Sequence, residues 1–154
     1  MNTTLPESTP ALERLPEHAI YKPNSRGSGG VLRLGMNPAK AAVFVDAAAQ
    51  SGERQFDWEN KITMKWGLAD IGAVLATLQN RMPEAKLFHK SEAANSACEL
   101  IRRKDPERAP YLISVSRQEA ADRSLRKVRI PLSHADAAVL ETLLRTAVSR
   151  ILGW

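Results

Sequence analysis

Cysteine is almost missing: the 154 residues hold one, Cys98. A disulfide framework within the chain is thereby excluded, and a lone thiol suits a reducing compartment. Aromatic residues make up 5%, so a surface that binds by stacking has few rings to use. No apolar run approaches the roughly 20 residues that span a bilayer, because Asp46 interrupts the best one. The first twenty residues lack a basic start followed by an apolar stretch, and Glu7, Glu13 and Glu17 against Arg14 do not fit an Arg-rich transit peptide. At 17.0 kDa, with 44% hydrophobic residues, a soluble, cytoplasmic protein of one domain is expected, with no membrane partner.

Residues for catalysis are thin as well. His18, His89 and His134 lie far apart, and none is spaced with Cys98 or a carboxylate as a metal site requires. Asp46, Glu53, Asp57 and Glu59 lie near enough in sequence to imagine a metal-dependent nuclease, although a solvated loop is much the better explanation. The Gly-rich Ser25–Gly30 is not a phosphate loop, because no Gly-Lys-Ser/Thr follows. No catalytic residue, cofactor or metal is expected, and Cys98 reads as a small core residue.

What is present is positive charge, unevenly placed. Residues 81–129 hold twelve Lys/Arg against seven Asp/Glu, and the rest of the chain is balanced, so this segment carries the whole net charge of +5. Such clustering suits a polyphosphate partner; a well-solvated surface is the alternative.

The pattern of apolar residues predicts strands grouped around two helices. Residues 1–30, with Pro6, Pro10, Pro16 and Pro23, read as a flexible leader rather than a packed element. Strands are predicted over Val31–Met36, Ala41–Ala48 and around Ile62–Trp66, where apolar Ile62, Met64 and Trp66 alternate with Lys61, Thr63 and Lys65. A helix follows from Leu68 to Leu78, with Gly67 as N-cap and Asp70 in its first turn. Lys86–Lys90, Ala97–Lys104, Tyr111–Arg117 and Leu125–Ile130 form a second strand group. A shift of phase between Leu125 and Val128 fits either a bulge or a later strand start. Ser133 then caps a second helix, with Asp136 in the capping-box position and Gly153 at the C-cap. Its apolar stripe, widened by Val139, Leu143 and Leu152, fits a subunit interface or a deeply buried core helix. The class is α+β: antiparallel sheets, each followed by a helix, since the loops are too short for parallel crossovers.

Several segments together resemble the Whirly family. These are Arg54–Trp58 (RQFDW), Lys61, Asp70-Ile71-Gly72, Leu87-Phe88-His89, Ile113-Ser114-Val115 and the ending Pro131–Trp154. The resemblance covers roughly residues 31–154. It implies two antiparallel four-stranded sheets packed at an angle (β4-α-β4-α), and a homotetramer held by the helices. It also implies binding of single-stranded DNA across the sheets, or of guide-type RNA as in the mitochondrial RNA-binding relatives. In the family RQFDW is mainly a structural corner, so Phe56 and Trp58 are expected to be structural. Two departures stand out. The Lys-Gly-Lys-Ala segment of plant members is absent, since Pro23-Asn24-Ser25 follows Tyr21-Lys22, and the connection Asn37–Lys40 is short.

The expected binding surface combines cations, hydroxyls and rings on the outer sheet faces. Arg33, Lys61, Lys65, Lys86, Lys127 and Arg129 supply charge, and Thr63, Ser114 and Ser116 supply hydroxyls. Phe44 and Phe88 suit base stacking, although Phe44 fits a subunit contact somewhat better. The function expected is sequence-tolerant binding of single-stranded DNA, with RNA a second ligand, in transcription regulation or DNA maintenance. A purely structural oligomer and a metal-dependent nuclease are the alternatives.

Overall fold

Period-2 alternation becomes two antiparallel sheets in a computed structural model that describes residues 15–103 and 109–154. The first sheet comprises β1 (His18–Lys22), β2 (Gly30–Asn37), β3 (Ala42–Gly52) and β5 (Ile62–Trp66), in the order β1-β2-β3-β5. A two-residue strand, β4 (Gln55–Phe56), pairs with the end of β3, where the register shifts between Gln50 and Gly52. The second sheet is a meander of β6 (Glu84–Lys90), β7 (Ala94–Arg102), β8 (Tyr111–Glu119) and β9 (Leu125–Leu132). Helices α1 (Leu68–Leu78) and α2 (His134–Leu152) follow the two sheets, as expected from the change of apolar period.

The inner faces of both sheets and the apolar stripes of both helices share one core. Leu32, Val45, Met64 and Trp66 from the first sheet meet Leu100, Ile113 and Ile130 from the second, with Ile71 and Val74 of α1 and Leu140 and Leu144 of α2. Both caps form. Asp70 accepts from the Gly67 N–H at 3.3 Å. The Ser133 N–H donates to Asp136 Oδ2 while the Asp136 N–H donates to Ser133 Oγ, both at 3.0 Å.

Over residues 15–30 the structure corrects the expected flexible leader. His18–Lys22 is an edge strand, registered Ile20 to Leu32 and Tyr21 to Val31. Prolines at 16 and 23 bracket it without entering it, and Ile20 is buried on the core side. Gly29 and Gly30, after it, are sites of close approach. A Cβ on Gly30 would lie 2.6 Å from Val128 Cγ1, so this residue lets β2 meet β9 across the sheet junction. Gln50 fastens the turn: its Oε1 accepts from the Asn24 and Gly29 N–H groups, and its Nε2 donates to the carbonyls of Asn24 and Gly52. The part of the leader before residue 15 lies outside the described residues.

Strand bounds shift elsewhere. β3 runs four residues past the expected Ala48, and β7 begins at Ala94 and ends at Arg102, with Lys104 outside the described residues. The phase shift at Leu125 is neither bulge nor late start. β9 pairs with β8 without interruption from Leu125, and that leucine lies on the outer face with Lys127 and Arg129.

Candidate nucleic-acid interface

Pairing register sorts the expected binding residues onto two surfaces. On the first sheet, Ala19, Arg33, Asp46 and Thr63 lie opposite one another across four strands, and Gly35, Phe44 and Lys65 form the next row. These are outer positions, because their alternates Leu34, Val45 and Met64 are in the core. Lys61 precedes the same strand edge.

Asp46 organises this face. Arg33 donates to Asp46 Oδ2 through Nη2 at 2.7 Å and Nε at 3.3 Å, and Thr63 Oγ1 donates to Oδ1. Lys61 Nζ lies 3.8 Å from the same carboxylate. The hydrogen bond to Asp46, which outweighs burial, raises the Arg33 guanidinium above its ordinary value. Arg33 and Thr63 are therefore committed within the sheet, and Lys65 is the more open cation. Phe44 is half-buried, with Lys40 Nζ 5.6 Å from its ring centre.

The committed guanidinium also props an aromatic shelf. Arg33 Cζ sits 4.2 Å from the Trp58 ring centre. Tyr21 and Phe56 form a tilted pair with centroids 5.6 Å apart. With Arg54 and Ser51, these three rings line an open cleft. Tyr21 is 57% exposed, which makes it a stacking candidate that sequence reasoning missed. Its signal was present as the alternation of Ile20 and Tyr21, hidden by the flanking prolines. Phe56 and Trp58 were expected to be structural; Trp58 does pack on Arg33, and both rings also face the cleft.

The second sheet carries the other six expected residues on its outer face. Lys86, Glu99, Ser114 and Arg129 form one row across β6, β7, β8 and β9, and Phe88, Ala97, Ser116 and Lys127 form the next. Phe88 is 64% exposed. Small Ala97 and the two serines leave a hollow between Phe88 and Lys127.

The acidic residues that suggested a nuclease are not brought together. Asp46 is held as described, and Asp57 Oδ2 accepts from Asn60 Nδ2 at 2.8 Å. Among the described residues no three His, Cys, Asp or Glu side chains gather as a metal site. His89 Nε2 contacts Asp70 Oδ2 at 3.0 Å, tying β6 to the start of α1. Cys98 is buried, and burial above all, with Asp70 and Glu99 adding to it, pushes its thiol up to about 12.

Comparison with known proteins bears on this geometry. The model of the Whirly transcription factor family matches residues 22–143, from the end of β1 into α2. The mitochondrial single-stranded DNA-binding protein WHY2 of Arabidopsis thaliana is 23% identical over 130 residues, 81% of this chain. The chain spans about half the length of that curated relative (52%). The crystal structure of WHY1 from Arabidopsis thaliana superposes with a TM-score of 0.73 at 17% identity, covering 92% of this chain and 86% of that one. A guide-RNA-binding protein complex bound to its RNA superposes with a TM-score of 0.65 at 15% identity, covering 96% and 98%. A family model that spans both sheets, on a fold those structures share, places the conclusion beyond its first outline in the residues: the chain belongs to the Whirly family.

Proposed function

We propose that this protein binds single-stranded nucleic acid across the outer faces of its two sheets, as a homotetramer and without catalysis. The observation that carries the reading is the pair of adjacent rows on the second sheet, Lys86–Arg129 and Phe88–Lys127. There cations, hydroxyls and an exposed ring lie at cross-strand spacing. Cations meet phosphates, the ring stacks a base of any identity, and the hydroxyls bond without fixing sequence. Tyr21, Phe56 and Trp58 extend the surface on the first sheet. Relatives described as binding single-stranded DNA and guide RNA support the ligand class, with DNA as the first choice and RNA as the second. Action in the cytoplasm, in transcription regulation or DNA maintenance, belongs to the same proposal.

Self-association is supported by α2, whose Val139 and Leu143, one turn apart on one face, are 44% and 41% exposed. Solvated singly, such residues are ordinary; an adjacent pair on one face favours a partner surface. The same stripe favours one rival reading, a structural oligomer that binds no nucleic acid.

Anisotropy titration of labelled single-stranded DNA, single-stranded RNA and duplex DNA at low and moderate salt separates the two. Tight, salt-sensitive binding of single strands, with duplex left behind, is the expected result. Equal and weak binding of all three would leave the structural oligomer. Light scattering on the eluting protein tests the tetramer.

A further inference from the structure

One residue on the second sheet does not fit phosphate binding. Glu99 is exposed in the middle of a cationic face, directly between Lys86 and Ser114 across the strands. Among the described residues it has no hydrogen-bond or ion-pair partner, while Lys86 makes a long contact of 3.6 Å with Glu84. A carboxylate in that position repels a nucleic-acid backbone. What it attracts is a base edge with N–H groups side by side.

We propose that the hollow bounded by Lys86, Phe88, Glu99 and Lys127 is a guanine-selective site. This rests on the single-strand binding proposed above and adds a base preference to it. An unpaired guanine presents, in order along its Watson–Crick edge, the O6 acceptor, the N1–H donor and the N2–H donor. Lys86 and Glu99, directly paired across β6 and β7, offer the complement: an ammonium for O6 and two carboxylate oxygens for the two donors. Phe88, one row along, supplies the ring on which the base stacks, and Ala97 beside it leaves the space. Lys127, at the far side of that row, meets the phosphate. The other bases fit less well. Thymine and uracil have a single donor between two acceptors, and adenine and cytosine set a ring-nitrogen acceptor beside their amino group. Each of these turns an acceptor toward the second carboxylate oxygen.

The test is competition anisotropy at low salt, using short oligothymidylates that carry one central guanine, inosine or adenine, on the full chain and its Glu99→Gln variant. A guanine should tighten binding roughly tenfold over plain oligothymidylate, the discrimination typical of a bidentate side chain–base pair. Inosine, which lacks the N2 amine, should recover only part of that gain, and adenine none. Glu99→Gln should abolish the preference and bind plain oligothymidylate more tightly, because a repelling charge has gone. A guanine no better than thymine, or a preference that survives Glu99→Gln, overturns the proposal while single-strand binding stands. Failure of every strand to bind would overturn the function itself, and this site with it.

Discussion

Gln50 shows how much one buried amide can hold. Its side chain bonds backbone groups at Asn24, Gly29 and Gly52, fastening the β1–β2 turn to β3. Replacing it with leucine removes those bonds and strips the buried Gly29 N–H of its side-chain acceptor, at about 1–3 kcal/mol. Urea denaturation of Gln50→Leu should show a lower midpoint of that size. Tyr21 differs in kind: its side chain is mostly exposed, so Tyr21→Ala should change stability little. If the shelf stacks a base, the variant should lose roughly tenfold in single-strand affinity, read by the same anisotropy titration. Residue identity on a face was legible from alternation, as with Arg33, Phe44, Asp46 and Thr63. What each side chain does there was not. Arg33 reads as a phosphate contact, and only the register that sets it opposite Asp46 reveals that its guanidinium is hydrogen-bonded within the sheet.

At the scale of elements, capping ties strand to helix. Lys22 Nζ on β1 reaches Asp136 Oδ2 of α2 at 2.7 Å. Burial of Asp136 opposes its ionisation, but hydrogen bonds from Lys22 and Ser133 outweigh that and hold its carboxyl below the usual range. A depressed carboxyl stabilises the fold above its unfolded value, about 4, and the contribution is lost as pH falls through the lower folded value. Asp136→Asn should therefore cost about 1 kcal/mol at neutral pH, as the loss of a cap does, and the deficit should close in acid. Urea midpoints taken across pH 2–7 check this. The helices and the second sheet were legible because long, regular periods outweigh local composition. β1 was not: five residues between prolines carry one buried apolar side chain, and its support comes from Leu32 and Gln50, distant in sequence. Leu125 misled for the opposite reason, being apolar on a face turned to solvent.

For the whole molecule, the apolar stripe of α2 is the element to break. If α2 holds the proposed tetramer together, Leu143→Glu should lower the mass seen by light scattering, with little change in far-UV circular dichroism because Leu143 stands outside the core. In that tetramer, strands long enough to engage several subunits should then bind about a hundredfold more weakly, while short ones that fit one subunit should lose little.

The division of labour between the two sheets has a thermodynamic corollary. On the first, Asp46 quenches much of the local charge while Tyr21, Phe56 and Trp58 provide contact area. On the second, Lys127 and Arg129 have no ion-pair partner among the described residues and Phe88 is the single exposed ring among the paired positions. Counterion release weakens with ionic strength; ring stacking hardly responds to it. If both faces bind a strand as proposed, a plot of log affinity against log salt should therefore bend, steep where the lysines and arginine dominate and flattening to a floor set by the rings. A strand held at that floor would be one that the first sheet grips after the second has let go.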